Sequence, residues 1–320
     1  MTYQQVRLPS GAAGSSREAI LVDVREWMLS PPMRDLVGAF GGRLPDAETP
    51  LLADRLDAFS TANWDFRQRA AERHQLDERT FTSAIEELVE DASVALGLTR
   101  STYPEHGSYQ HMLVLGGRAR ACQRRMAYAR RLCQDGIGAG RIAALGSFRP
   151  LDAEEREFLG AAAEYEIDAL RVGAGQAFGA DDPALGRGFG TRGASESWIE
   201  SFAVTPEVSV EVLAAPASAG RSRANTADSF IFWSRAAEPS AGDRVLIVTD
   251  QLYVPFQHCA AVRVLRTLGC TLETVGCPPD AEAGRSGEPR ADQCLQEIHS
   301  TIRAMHRLVT AVSDEQDGRP

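Results

Sequence analysis

The segment His111-Met112-Leu113-Val114-Leu115-Gly116-Gly117-Arg118 decides how the rest of the chain is read. A short apolar run that ends abruptly in turn residues is the pattern of a strand covered on both faces. The pattern returns in Arg141-Ile142-Ala143-Ala144-Leu145 before Gly146-Ser147, and in Val208-Ser209-Val210-Glu211-Val212-Leu213 before Ala214-Ala215-Pro216. It returns again in Arg244-Val245-Leu246-Ile247-Val248 before Thr249-Asp250, and a fifth strand is expected at 271–275. The segments between these runs read as helices. Alternating strands and helices predict a parallel sheet, and such sheets place their sites at the carboxyl ends of the strands.

Between strands one and two lies an arginine-rich helix, Ala119–Gln134, ended by the glycines at 136, 138 and 140. An acidic helical stretch at 152–178 precedes strand three, helices are expected at 227–235 and 258–268, and a closing helix at 294–312. Upstream, Leu52, Leu56 and Phe59, and then Phe81, Ile85, Leu88 and Ala92, fall at helical spacing. The region 1–106 is therefore read as an N-terminal helical extension, with 1–20 disordered, and 107–320 as the α/β domain. The extension either packs on the main domain or forms a homodimer contact.

The formal net charge is −10, which argues against nucleic acid or an anionic membrane as the main partner. No stretch approaches the ~18 apolar residues of a membrane span. The polar, Gly/Ser-rich start lacks a secretory core, so a cytoplasmic protein is expected. All 34 basic residues are arginine, which removes any Schiff-base or Walker-type lysine. The six cysteines have neither Cys-x-x-Cys nor zinc spacing and read as reduced thiols. No paired-His metal motif and no G-x-S-x-G nucleophile elbow is present, and no metal ligand set is assigned.

The candidate site residues follow from strand ends. Gly116-Gly117-Arg118 is either a tight strand-to-helix turn or a backbone that a ligand can approach closely, next to a helix start that attracts anions. Of the arginines on the following helix, Arg118 and either Arg124 or Arg125 could reach a phosphate or carboxylate. Ser147 ends strand two. Ser222, Arg223, Asn225 and Thr226 follow strand three; Asn225 or Thr226 could simply cap the next helix, yet the loop also suits an anionic or ribose-bearing ligand. Thr249, Asp250 and Tyr253 follow strand four. Asp250 sits where a carboxylate holds a hydroxyl or acts as a base, and His258 is read as opening the next helix, an acid–base candidate. Glu164 and Asp168 share a helix face and read as solvated. Gly188-Phe189-Gly190-Thr191-Arg192-Gly193 has dinucleotide-type spacing but does not follow a strand, and reads as a mobile loop.

Over about 110–275, the Gly116-Gly117 strand end, Glu166 in Glu166-Ile167-Asp168, Asn225-Thr226 with Asp228, and Val248-Thr249-Asp250 resemble, in this order, the YdcF-like family, also called the ElyC/SanA/YdcF or DUF218 domain family. The family reads Tyr-His soon after the strand-four end. Here Tyr253 precedes Val254, and His258 stands one helical turn later as the substitute. The resemblance implies a Rossmann-like sheet and Glu166 as a functional acid. It offers S-adenosylmethionine as a cofactor, ahead of a divalent metal.

The expectation is thus a three-layer α/β/α, mainly parallel five-strand sheet with an N-terminal helical extension. The expected function is that of an enzyme, a transferase or hydrolase, acting on a small nucleotide-like or anionic molecule. Glu166, Asp250 and His258 would carry the chemistry. Gly116, Gly117, Arg118, Arg124, Ser147, Ser222, Arg223, Asn225, Thr226, Thr249 and Tyr253 would bind the ligand. The alternatives are a non-catalytic sensor or scaffold and a metal-assisted phosphoesterase or transferase.

Overall fold

A computed structural model describes residues 3–66, 80–160, 162–179, 196–204, 208–278 and 289–315. The G-x-G-x-x-G segment at 188–193, most of the polar loop after 278 and the last five residues lie outside the described residues. Six strands form one sheet: β1 (Ser108–Leu115), β2 (Gly138–Ser147), β3 (Trp198–Ala203), β4 (Ser209–Ala215), β5 (Arg244–Asp250) and β6 (Thr271–Cys277). Their order is β3-β4-β2-β1-β5-β6. All pairings are parallel except β3 with β4. The five expected strands are therefore present, and the sheet is mixed because β3 was not anticipated. β3 is an edge strand in which Glu200, whose carboxylate takes Arg171 at 2.5 Å, breaks the continuous apolar run that marks a buried strand.

Helices α5 (Ala119–Gln134), α6 (Ala153–Leu159) and α7 (Glu166–Phe178) follow β1 and β2. The expected single stretch at 152–178 divides at Gly160, whose φ of 99° ends α6. Helices α8 (Thr226–Ala237), α9 (Val254–Leu265) and α10 (Ala291–Asp314) follow β4, β5 and β6. Two apolar cores result, one on each face of the sheet. Met112, Val114, Leu246 and Val248 pack with Cys122, Met126 and Leu170 of α5 and α7. Leu113, Leu115, Val245 and Ile247 pack with Trp233, Val262 and Ile298 of α8, α9 and α10. The alternation of these residues along β1 and β5 is the period-two rule of a strand buried on both sides.

The N-terminal region contributes α1 (Arg17–Met28), α2 (Pro31–Ala39), α3 (Thr49–Trp64) and α4 (Ser83–Ala95). Its buried Trp27, Leu52, Leu56 and Trp64 join the α9-side core, and α1, α3 and α4 lie against α10. The region thus packs on the main domain.

The segment before α1 differs from the expected disorder. The Val6 N–H donates to Ala95 O at 2.8 Å, Gly11 O accepts from the Leu272 N–H at 2.7 Å, and the Ser10 N–H donates to Asp23 at 2.8 Å. It thus lies across α4 and the outer edge of β6, where an unpaired ladder would otherwise be exposed. His258 fastens it. The imidazole is buried, with Nε2 2.8 Å from Pro9 O and Nδ1 3.1 Å from Thr274 Oγ1. Pro9 O can only accept, so Nε2 carries a proton; burial favours the neutral ring, in which Nδ1 accepts from the Thr274 hydroxyl.

Burial holds the His258 pKa below its ordinary value, against the pull of the Pro9 carbonyl. A depressed histidine contributes stability that is present above the unfolded pKa of ~6.5 and is lost as pH falls through that value towards the folded one. The expected slope is at most about 1.4 kcal/mol per pH unit. His258→Phe should flatten it in urea titrations at pH 5 and 7.5, and an unchanged slope would mean that the ring titrates freely.

Candidate functional site

The chain leaves β1 for α5 on one face of the sheet and leaves β5 for α9 on the other. β1 and β5 are neighbours, with Val114 opposite Val248. Adjacent parallel strands whose connections diverge open a crevice between their carboxyl ends, the place where α/β sheets bind ligands. Gly116 and Asp250 stand at its two lips.

Arg125 closes the bottom of this crevice. Its guanidinium donates to Leu115 O at 2.8 Å, to Gly116 O, and to Asp250 Oδ2 at 2.7 Å. Arg124 reaches the other carboxylate oxygen at 2.7 Å, and the Cys277 thiol donates to it at 2.9 Å. Consecutive residues of one helix reach the same carboxylate because Asp250 faces the α5 side at the end of β5. Burial alone would raise the Asp250 pKa, but the two guanidiniums and the thiol hold the carboxyl well below the ordinary range. The same burial and the same carboxylate push the Cys277 thiol up to about 12. Tyr253 completes this wall, with the Arg125 guanidinium 5.9 Å from its ring centroid.

Glu166 lies on the opposite side of Gly116. A Cβ at 116 would stand 2.7 Å from Glu166 Oε1 and 2.9 Å from Leu145 O, so only glycine lets the carboxylate lie against the chain here. The Ser147 hydroxyl donates to Glu166 Oε2 at 2.6 Å. Burial raises the Glu166 pKa; Arg149, Ser147, Arg125 and Arg223 oppose this without cancelling it. Two carboxylates flanking one glycine are thereby driven in opposite directions.

The start of α5 is not open to a ligand as its sequence suggested. Glu155 Oε1 accepts from the Ala119 N–H at 2.9 Å, so a side-chain anion already occupies that helix end. The same carboxylate takes Arg149 at 2.8 and 2.9 Å and the Asp152 N–H at 3.1 Å. Burial would raise its pKa, but these donors bring it down to about 2. Arg118 is engaged outward with Asp152 at 2.9 Å and Glu154 at 2.8 Å.

The remaining expected residues divide. Arg223, exposed in the loop after β4, acts electrostatically on Glu166. Asn225 caps α8, accepting from the Ala227 and Asp228 N–H groups at 2.8 and 3.3 Å, while Asp228 returns a bond to the Asn225 N–H. Thr226 is the first residue of α8, and Ser222 is exposed beside it. Asp168 is a capping residue too, accepting from the Glu164 and Tyr165 N–H groups, each at 2.9 Å. His258 is not gathered into the crevice. It lies in the second turn of α9, which begins at Val254, on the face of the sheet opposite Asp250. Both its ring nitrogens are used by the fold, and burial, not a helix end, depresses its pKa.

Arg149, Glu155 and Cys277 were missed by sequence reading. Arg149 and Cys277 do stand at or just beyond the carboxyl ends of β2 and β6, the signal that could have found them. Among the described residues no group of three or more His, Cys, Asp or Glu side chains could hold a metal ion, and no helix is long and apolar enough to cross a membrane.

The chain is similar to the Rv3785 N-terminal domain family over residues 11–97. It is 29% identical over 328 aligned positions to the uncharacterised protein Rv3785 of Mycobacterium tuberculosis, covering 91% of this chain and 89% of the relative. The uncharacterised protein Mb3814 of Mycobacterium bovis matches to the same extent. No solved structure matches the chain. These relatives overturn the YdcF-like resemblance. The motifs that suggested it have local causes: the Gly-Gly turn makes room for Glu166, and Asn225 with Asp228 is a capping box.

The Asp250–Arg125 pair is buried, and removing one partner of such a pair strands the other charge. Asp250→Ala should cost about 3–5 kcal/mol in urea unfolding at pH 7. Because the Asp250 pKa is depressed, its contribution is present above the unfolded pKa of ~3.9 and declines as pH falls below it, so the difference from wild type should narrow with acid. A loss under 1 kcal/mol at pH 7 would show that the pair is solvated.

Proposed function

We propose that the crevice between β1 and β5 is the catalytic site of an enzyme acting on a small nucleotide-like or otherwise anionic molecule, within a three-layer, Rossmann-like arrangement. The supporting observation is the pair of carboxylates beside Gly116 whose environments push their proton affinities apart. Such a split is how enzymes assign acid and base roles to like groups.

Glu166 is the proton-transfer group in this reading. Its raised pKa brings it towards neutral pH, where a carboxyl can take a proton from an attacking hydroxyl or amine and return it to a leaving group. Asp250 is too weak a base for that work. Pinned by Arg124 and Arg125, it orients a hydroxyl or amine of the ligand. Arg223, exposed in the loop after β4, meets the anionic group, as suits a bidentate guanidinium. This is transferase or hydrolase chemistry.

The test is a thermal-shift panel of ADP, a UDP-sugar, pyrophosphate and inorganic phosphate, followed by turnover assays on any ligand that binds. A ligand at ~100 times its Kd adds about 2.7 kcal/mol and raises the melting temperature by a few degrees. Glu166→Gln should bind that ligand and lose turnover by at least about 100-fold. The variant should also be the more stable protein at pH 8 than at pH 4, relative to wild type. A raised carboxyl pKa stabilises below the unfolded value and loses that contribution as pH rises through the folded one. Binding without turnover, unaltered by Glu166→Gln, would indicate a binding protein instead.

A further inference from the structure

An open cleft of about 700 Å³ lies in the N-terminal region, between the junction of α1 with α2 and the segment that leads from α2 to α3. Its volume is in the range of small-molecule sites. Leu29, Leu44 and Pro45 give it an apolar wall, and Arg34 and Arg43 line it with positive charge. It shares no residue with the crevice between β1 and β5. It lies within residues 11–97, the stretch similar to the Rv3785 N-terminal domain family.

The wall of the cleft is tied at both ends. Gly41, with a φ of 78°, turns the chain out of α2. Gly42 then lies so close to α3 that a Cβ would collide with the Phe59 ring and with Val37. At the other end Arg25 of α1 donates to Asp46 at 2.9 Å and to Ala47 O. Asp46, the carboxylate at the rim, is therefore already neutralised by Arg25. Leu29 and Leu44 are half-buried and rest on the α9-side core. The cleft is thus preformed, which lowers the cost of ordering on binding.

Its two guanidiniums are available. Arg34 Nε donates to Leu29 O at 2.7 Å, which orients the guanidinium plane and leaves both terminal nitrogens without a partner among the described residues. Arg43 is exposed and has no side-chain partner among the described residues. In a chain of net charge −10, two uncommitted guanidiniums beside an apolar wall select an anion that also has something to bury. We infer that this cleft is a binding site for a small amphipathic anion, a carboxylate or phosphate head on an apolar body. Arg34 and Arg43 hold the head, and Leu29, Leu44 and Pro45 cover the body. The inference stands independently of the crevice.

The experiment titrates wild type, Arg43→Gln and Arg223→Gln by calorimetry at constant ionic strength. The probes are hexanoate and hexyl phosphate, with acetate, inorganic phosphate and hexanol as controls that lack either the body or the charge. Wild type should bind at least one of the two amphiphiles more tightly than any control, and the tighter of the two identifies the head group. Arg43→Gln should weaken that binding about tenfold or more, the factor for a charge-assisted hydrogen bond. It should melt as wild type does, since it removes no contact within the protein. Arg223→Gln, which alters only the crevice, should bind as wild type. Hexanol binding as tightly as the amphiphiles would overturn the inference, because the arginines would then recognise nothing. Amphiphile binding unchanged in Arg43→Gln, or lost in Arg223→Gln, would overturn it by placing the ligand elsewhere. Failure of both amphiphiles to bind at millimolar concentration would overturn it outright.

Discussion

The Arg125 guanidinium holds together the point where the sheet divides. Strands β1 and β5 send their chains to opposite faces, so nothing in the ladder joins their ends. One side chain bridges them by donating to Leu115 O, Gly116 O and the Asp250 carboxylate. A guanidinium can do this because its donors lie in one plane and stay charged when buried. The ion pair is not a simple gain in stability, since both charges lose their water. Its value is geometric: it fixes the width of the crevice and the position of both lips.

Charge around the crevice is compensated from within. Arg149 and two backbone N–H groups absorb Glu155, and Arg124, Arg125 and a thiol absorb Asp250. Glu166 alone of these three carboxylates has its pKa raised, because burial outweighs its partners. That imbalance distinguishes a group able to exchange a proton from groups that hold the frame. The same logic removes His258 from the chemistry, as it is neutral, buried and fully engaged with Pro9 and Thr274.

The N-terminal region reaches the crevice indirectly. Gly97, at the end of α4, accepts from the Gln251 amide, and Gln251 rests on Gly276. The loop after β5 is thus clamped between the helical region and β6. The segment before α1 adds a second tie through Pro9 and Gly11. These ties explain why the region most similar to the Rv3785 N-terminal domain family shares a core with the sheet instead of standing apart.

The sequence by itself determined the five parallel strands, the helices between them, and the strand ends at which Gly116, Ser147, Thr249 and Asp250 stand. Those features are local: apolar runs of period two, turn glycines and helix periodicity act over a few residues. The edge strand β3 stayed illegible because one face of its run is interrupted by Glu200, whose partner Arg171 is distant in sequence. Asn225 and Asp228 looked like ligand groups because a capping box and a binding loop use the same residue types. Only the tertiary structure decided which polar residues meet. Arg149 with Glu155, Arg125 with Asp250, and Glu166 with Gly116 depend on strand order and on the face each helix takes. The energies that set their protonation, burial against neighbouring charge, exist only once those elements are packed.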